Sequence, residues 1–450
     1  MSTGRLIGLA FASCALVAVI VGSYVNVVDR RSAPAGSLSV IGDAGNAPTS
    51  GMLGTDQQID FWRERVERDP GDYISYTELA AAFLRRARET GDVDSYSRAE
   101  TALDRALALN PKYESALGYM SSLTFARHDF DGALEAARNI YATSPRSAHA
   151  LAVIGDASLE LGLYAEAGAA YDSLFKFSQS PPVYSRLAHL AALEGQPQKA
   201  IEFANQAVVQ ADEEESAQES RAWYHLQLGH LYFVTGDTRS AEEHYDASFD
   251  ILPGYVHALA GLARVHAARG DYDDAISLYQ DVIARQPVVE YVVALGEVYG
   301  AAGDRGAEHR QYSLVEAIDS LYKANGINTD LETALFFADH DMRLDEAVAQ
   351  ARAVYESRPG SIRAADVLSW ALYRSGQYEE ALTHSREALR LGTQDSLLLF
   401  HAGMIEYRLG DHDDAREHLD RALDINPGFS LLHGGEAART LKELQALVRN

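Results

Sequence analysis

Carboxylate and imidazole side chains that recur at equivalent places in successive segments are the residues most able to do chemistry in this 450-residue sequence. Asp156, His189 and His230 follow this pattern, and such groups suit zinc or copper ions. One ion would need all three ligands within about 2 Å of it. Solvated side chains along an open groove would need no such convergence. The spacing therefore favours a hydrated polar ladder over a metal site, and we expect no bound metal.

The sequence lacks the local motifs of the common enzyme classes. None of its five lysines follows a glycine, so it has no phosphate-binding loop of the Gly-Lys type. It contains neither a His-Glu-x-x-His pair nor a Gly-x-Ser-x-Gly elbow. The single cysteine excludes a disulfide framework and a cysteine-based zinc site. We therefore expect a protein that is not an enzyme and that needs no cofactor.

The charge balance limits the kinds of partner. With 39 basic and 65 acidic residues, the formal net charge is −26. Such a surface repels phosphate backbones, which argues against nucleic acid as a partner. We expect protein partners that carry basic patches and that dissociate more readily as the salt concentration rises.

The N-terminus has the composition of a membrane signal. After a short flank, residues 1–5, the stretch 6–28 carries no charged side chain. A spanning helix needs about 20 apolar residues, which this stretch supplies. We predict a single-pass anchor, a flexible linker over residues 29–57 and a main domain outside the cytoplasm. The alternative is a secreted protein, cleaved after the small residues Ala33-Pro34-Ala35.

Periodic landmarks indicate which elements must position these side chains. Pro111 and Pro145 lie 34 residues apart, and so do Pro253 and Pro287. Small residues and turn glycines recur with nearly the same period. The alanines are Ala99, Ala133, Ala167, Ala200, Ala241, Ala275, Ala347, Ala381 and Ala415, and the glycines are Gly162, Gly195, Gly236, Gly270, Gly303, Gly376 and Gly410. This period is typical of stacked helix-turn-helix units, because one such hairpin cannot bury its apolar face alone.

With these landmarks the sequence resembles the tetratricopeptide repeat family. The resemblance implies an all-α fold, a right-handed α-solenoid of about ten helix-turn-helix repeats over residues 72–429. Residues 58–71 and 430–450 would form capping helices. A boundary between two sub-blocks is expected near residue 326.

The resemblance also implies a concave groove that binds a partner segment, lined by one face of each first helix. Toward the C-terminal end we expect an exposed aromatic and arginine-containing surface, because these residue types dominate binding energy at interfaces. Its predicted residues are Phe336, Asp339, Asp366, Trp370, Tyr373, Arg374, Phe400, Met404, Tyr407 and Arg408. The alternative for the aromatic rings is packing between neighbouring helices.

A second part of the groove lies in the middle repeats. Its predicted residues are His149, Asp156, His189, Trp223, His230, His257, Arg264 and Glu297. They leave a second class of function open, a groove that binds a small ligand or a metal. A third possibility is an accessory subunit of an envelope enzyme complex.

The last three repeats show a further, local resemblance. Residues 333–340, 368–372 and 400–405 are similar to the C-terminal block of a group of bacterial tetratricopeptide proteins. The resemblance implies a bacterial source and places the functional end in these repeats. The sequence thus predicts a membrane-tethered scaffold or assembly factor that binds another protein.

Overall fold

The computed structural model describes residues 54–448, and every regular element in that range is an α-helix. There are 22 of them. Their bounds are α1 (Thr55–Arg68), α2 (Tyr73–Thr90), α3 (Asp94–Leu109), α4 (Glu114–Ala126), α5 (Phe130–Thr143), α6 (Ala148–Glu160), α7 (Tyr164–Phe177), α8 (Pro181–Leu193), α9 (Pro197–Glu213), α10 (Gln218–Val234), α11 (Thr238–Ile251), α12 (Val256–Arg269), α13 (Tyr272–Arg285), α14 (Val289–Ala302), α15 (Arg305–Ala324), α16 (Asp330–Asp339), α17 (Leu344–Ser357), α18 (Ile362–Arg374), α19 (Tyr378–Ala388), α20 (Ser396–Leu409), α21 (His412–Ile425) and α22 (Gly434–Val448).

Helices α2 to α21 form ten consecutive hairpins, each an even-numbered first helix packed on the odd-numbered second helix that follows. Helix α1 precedes the first hairpin and α22 follows the last. In the described range, no helix combines the length and apolar character needed to cross a membrane. The predicted anchor, residues 6–28, lies outside that range, as does most of the predicted linker.

Turn chemistry sets where the helices begin and end. The first helices α12, α14 and α20 end at Gly270, Gly303 and Gly410, whose φ angles are +87°, +90° and +89°. This left-handed conformation suits glycine because a β-carbon would crowd the following carbonyl oxygen of the same chain segment. The Asp237 carboxylate caps α11 by accepting a hydrogen bond from the Ser240 backbone N–H at 3.0 Å.

Small residues let the two helices of a hairpin approach closely. The alanines predicted from the period are fully buried, as Ala133, Ala167 and Ala241 illustrate. A β-carbon on Gly229 would lie 2.6 Å from the Tyr245 ring. Tyr245 is itself fully buried. One cluster of buried apolar residues runs from Val256 to Leu444, on both sides of residue 326.

The solenoid contacts itself after about one superhelical turn. The turn of an early hairpin meets a loop about 200 residues later, and we call this line of contacts the seam. His128 Nδ1 donates to the Asn328 carbonyl at 2.6 Å, across 200 residues. The Ile362 backbone N–H donates to the Tyr164 hydroxyl at 3.0 Å, across 198. The Asn426 side chain donates to the Phe233 carbonyl at 2.8 Å, across 193.

Glycines make the seam possible because the two backbones nearly touch. A β-carbon on Gly162 would lie 1.8 Å from the Gly360 carbonyl carbon, and one on Gly195 would lie 1.9 Å from the Gly392 carbonyl oxygen. Real β-carbons do not approach backbone atoms so closely. The seam therefore closes the concave side of the solenoid over the middle and C-terminal repeats.

Candidate functional site

Asp156 belongs to a buried ion pair and not to a hydrated ladder. The carboxylate, on α6, accepts hydrogen bonds from the Arg186 guanidinium at 2.9 to 3.1 Å. It also accepts one from the Tyr171 hydroxyl at 2.6 Å. The Asp156 residue is 0% exposed and Arg186 is 3% exposed. The expectation of a solvated Asp156 is therefore wrong, because the next repeat supplies its counter-charge.

The histidines of the predicted ladder do not converge on one point. His149 is buried, with its ring against Gly118 and the Ser122 hydroxyl. Within residues 54–448, no group of potential ligands close enough to share an ion contains His149, Asp156, His189 or His230. The structure therefore does not bring this set together as a metal site.

His189 and His230 instead face a cavity of about 210 Å³ inside the solenoid. Arg264 lines the same cavity, with its guanidinium 3.9 Å above the Phe233 ring. Burial lowers the pKa of His189 to about 3, aided by the charge of Arg363. Burial also lowers the pKa of His230 to about 3, aided by Arg264. Both imidazoles are consequently neutral at physiological pH.

A second interior cavity, of about 170 Å³, lies toward the N-terminal repeats. Trp223 and His257 of the predicted groove line it, and Trp223 is only 5% exposed. His257 pairs through Nδ1 with the Tyr291 hydroxyl. The Arg88 guanidinium has no hydrogen-bond partner among the described residues, although a Glu219 oxygen lies 3.7 Å away. The residues of the predicted middle groove are thus buried or half-buried in the interior and do not form an exposed surface.

Glu297 is buried near other acidic groups. Its Oε1 atom lies 3.7 Å from His340 Nε2. Burial raises the pKa of Glu297 well above its usual value, and the nearby Asp339 and Glu308 charges raise it further. Burial thus favours the neutral form of this carboxyl.

The predicted aromatic surface is largely core. Phe336, Trp370 and Phe400 are 1%, 0% and 0% exposed, and Met404 is 3% exposed. The chain before α22 covers these rings, with Phe429 5.7 Å from the Phe400 centroid. The expectation that these four side chains are exposed is therefore wrong. The alternative, packing between helices, describes them correctly.

Four of the ten predicted residues lie at the edge of the C-terminal repeats, and we call them the C-terminal rim. They are Tyr373, Arg374, Tyr407 and Arg408, at the ends of α18 and α20. The Arg374 guanidinium lies 5.2 Å from the Trp370 ring and donates to Asp341. The Tyr407 hydroxyl donates to Glu443 at 2.9 Å, and Arg408 is exposed.

The two remaining predicted residues, Asp339 and Asp366, belong to a buried cluster with two histidines. Asp339 Oδ1 accepts from Trp370 Nε1 at 2.8 Å and from His433 Nε2 at 2.9 Å. Asp366 Oδ1 accepts from His401 Nδ1 at 2.9 Å. Burial alone would raise the pKa of Asp339, but the His433 hydrogen bond and the neighbouring imidazoles hold it below its usual value. Asp339 is therefore an ionised carboxylate in the protein interior.

The sequence analysis did not select His401 or His433. His401 follows Phe400 directly on α20. Because a helix turns through about 100° per residue, His401 lies on a different side of the helix from the predicted residue Phe400. His433 lies in the connection before α22, outside the period of 34 residues. No periodic pattern singles out a residue in such a connection, so the cluster became visible only in the structure.

Models of known protein families match three stretches of the repeats. One model described as "Tetratricopeptide repeat" matches residues 122–181 and 367–428, and a second with the same description matches residues 233–295.

Two curated proteins are similar to parts of the chain. The TPR repeat-containing protein YpiA of Bacillus subtilis (strain 168) is 22% identical over 253 residues, which is 56% of this chain and 50% of YpiA. Protein O-mannosyl-transferase TMTC1 of Homo sapiens is 24% identical over 216 residues, which is 46% of this chain and 23% of TMTC1. The chain thus spans half or less of the length of these relatives.

Two solved structures are similar to this chain at low TM-score. PilW, described as a widely conserved type IV pilus biogenesis factor, is 15% identical, with a TM-score of 0.39 over 46% of this chain and 93% of PilW. Yeast Tom70 is 13% identical, with a TM-score of 0.36 over 88% of this chain and 93% of Tom70.

Proposed function

Because this chain is a tetratricopeptide repeat protein, we propose that it is an interaction scaffold that binds a protein partner at the C-terminal rim. The observation that carries the proposal is the rim itself. It places Arg408 exposed and Tyr373, Arg374 and Tyr407 half-buried at the edge of adjacent repeats, beside a fully buried aromatic core. Tyrosine and arginine are the residue types most enriched among interface residues that contribute strongly to binding.

The closed seam argues against a partner in the interior. Its hydrogen bonds join the turns of early hairpins to loops about 200 residues later. A partner in the interior would have to pass this line of contacts. The rim is accessible without any such passage.

The charges around the rim indicate the chemistry of the partner. The side chain of Asp341 is 63% exposed, and Glu443 is also exposed. They lie beside Arg374 and Tyr407, so a partner can place basic side chains against these carboxylates while the tyrosine rings pack on its apolar groups. Such contacts are screened by salt.

The rim is tested by cross-linking the full chain to its partners in cells of the source organism, followed by mass spectrometry. We expect the double variant Tyr407→Ala/Arg408→Ala to lower the yield of the main cross-linked protein at least tenfold. The matched control, Tyr141→Ala/Arg146→Ala, removes the same residue types from exposed positions near the end of α5 and should retain the partner.

Equal yields from wild type and the rim variant would contradict the rim proposal. Equal loss in both double variants would contradict it as well. If no protein is captured by a folded wild type, the small-ligand interpretation of the interior cavities becomes the better one.

We also propose that residues 6–28 tether the repeats to a membrane, with the repeat domain outside the cytoplasm. The support is the uncharged apolar run of the sequence. The same cells provide the test, because deletion of residues 1–35 should move the protein out of the membrane fraction. An unchanged distribution would contradict the tether.

A further inference from the structure

Three buried side chains from separate parts of the C-terminal region point their ligand atoms at one place. Asp339 ends α16, His401 lies on α20, and His433 precedes α22. One potential ligand atom from each lies within 4.8 Å of the other two, and all three residues are buried. Two imidazole nitrogens and one carboxylate oxygen form a donor set that suits zinc and related first-row divalent metals.

The hydrogen bonding of His401 leaves a lone pair on its second ring nitrogen. Its Nδ1 atom lies 2.9 Å from Asp366 Oδ1, and a carboxylate can only accept, so Nδ1 carries the proton. In a neutral imidazole, Nε2 is then an acceptor. That atom is buried and has no hydrogen-bond partner among the described residues. A carboxylate that holds the far nitrogen of a metal-binding histidine is a recurrent arrangement at metal sites.

Trp370 fixes the positions of two of the three ligands. Its indole N–H donates to Asp339 Oδ1 at 2.8 Å. Its ring stacks on the His401 imidazole with a centroid distance of 4.2 Å and an interplanar angle of 13°. The Asp339 carboxylate and the His401 ring are thereby both oriented by one fully buried side chain.

An internal hydrogen bond between Asp339 and His433 does not by itself account for the cluster. It satisfies His433 Nε2, at 2.9 Å, but it provides nothing for His401 Nε2. Nearly all buried polar atoms in folded proteins have a hydrogen-bond or metal partner, so we expect one for His401 Nε2 as well. A cation would satisfy His401 and would neutralise the buried Asp339 carboxylate at the same time.

We propose that Asp339, His401 and His433 together bind one divalent transition metal ion of the zinc class. Neighbouring ligands of a tetrahedral zinc ion lie about 3.3 Å apart, given bond lengths of about 2.0 to 2.2 Å. Shifts of about 1 Å or a little more therefore suffice to bring the three atoms to bonding distance. The His433 proton moves from Nε2 to Nδ1, which leaves Nε2 as a ligand. A surface pocket lined by Tyr312, Asp339 and His433 gives the ion a path inward.

The position of the ligands indicates what the ion does. The three ligands lie on the eighth hairpin, the tenth hairpin and the connection to the last helix. One ion bound to all three fastens α22 over the buried aromatic rings and stabilises the C-terminal end of the solenoid. This role is independent of partner binding at the rim.

The test uses the full chain, stripped with a chelator and then titrated with Zn²⁺ alone or Co²⁺ alone. We expect one Zn²⁺ per chain by calorimetry, a rise in melting temperature with Zn²⁺ concentration, and visible absorption bands of protein-bound Co²⁺. His401→Gln should weaken Zn²⁺ binding at least a hundredfold. Asp366→Asn, which leaves all three ligands in place, should weaken it by about 10- to 100-fold. The control, His412→Gln, removes an exposed imidazole of α21 and should keep one Zn²⁺.

A wild type with no stoichiometric Zn²⁺, no melting shift and no Co²⁺ bands would overturn the proposal. Unchanged Zn²⁺ affinity in His401→Gln would also overturn it, because the ion would then be bound elsewhere. If His401→Gln fails to fold, Asp366→Asn decides, and an affinity equal to that of the wild type contradicts the site.

Discussion

At the residue scale, Trp370 is the clearest case of a side chain whose type suggests an interface and whose environment is core. It is fully buried, stacks on Tyr373 at 4.9 Å and on His401 at 4.2 Å, and donates to Asp339. The amino-acid type alone cannot distinguish the two roles, because tryptophan contributes strongly to both.

Trp370→Ala should therefore destabilise the fold. Removing a buried tryptophan costs about 3–5 kcal/mol of unfolding free energy, and here it also deprives Asp339 of a hydrogen bond. The measurement is urea unfolding followed by circular dichroism. Tyr407→Ala, at the rim, is the comparison and should change the unfolding free energy by less than about 1 kcal/mol. Equal stability of Trp370→Ala and wild type would show that the ring is not core in solution.

The interior histidines predict a pH dependence with a definite sign. The pKa of His189 is lowered by burial from its ordinary value of 6.5 to about 3. Between these values the unfolded chain binds a proton that the folded chain does not, so stability falls as the pH drops below about 6.5. The pKa of Glu290 is raised by burial to about 7, which acts in the opposite direction from about pH 4.5 to 7.

The variant His189→Gln separates the contribution of His189 to the pH dependence of stability from the opposing contribution of Glu290. His189→Gln should make the unfolding free energy less dependent on pH by up to about 1.4 kcal/mol per pH unit between about pH 6 and pH 4. Gln227→Leu, a non-titrating change in the same cavity, should leave the slope unchanged. Parallel curves for His189→Gln and wild type would mean that His189 is not shielded from water.

Asp156 shows how far residue types can be interpreted from sequence. Its position on the inner face of a first helix is predicted by the period, and the structure places it, fully buried, on the first helix α6. Its partner Arg186 is 30 residues away in the next repeat. Nothing in the spacing distinguishes an acid that meets a neighbouring arginine from one that meets solvent, because both interpretations place it on the same face.

At the scale of elements, the sequence predicts the helical repeats well because the interactions that define them are local. The turn glycines adopt positive φ angles, as at Gly162, +77°, and Gly376, +84°. The eighth repeat lacks a turn glycine, and there Asp341 and Arg343 take left-handed φ angles of +54° and +43° instead. Aspartate tolerates this region better than most residues, and the stacking of neighbouring hairpins outweighs the cost at Arg343.

At the scale of the whole molecule, the seam could not be predicted from the period. A repeat pattern specifies each hairpin and its neighbours, whereas the seam joins hairpins about 200 residues apart. Gly162 and Gly195 have two structural reasons to be glycine, the left-handed turn and the close backbone contact at the seam. The turn alone is enough to explain them in the sequence, so the sequence gives no sign of the contact. Small changes in the angle between successive repeats accumulate over five hairpins, so closure depends on geometry that no local pattern encodes.

The closed seam is the central claim, because it makes the predicted groove an interior and leaves the rim as the accessible surface. The most direct measurement is hydrogen exchange by mass spectrometry on the full chain, for wild type, Gly195→Val and Gly410→Val. Both glycines have positive φ angles, so both variants incur the same backbone strain. Only Gly195 meets another backbone, whereas a β-carbon on Gly410 would have no neighbour within 4 Å.

The account predicts slow exchange in segments 358–363 and 390–397 of the wild type. It predicts that Gly195→Val accelerates exchange there and that Gly410→Val does not. Fast exchange in these segments of the wild type, or equal acceleration by the two variants, would contradict the closed solenoid.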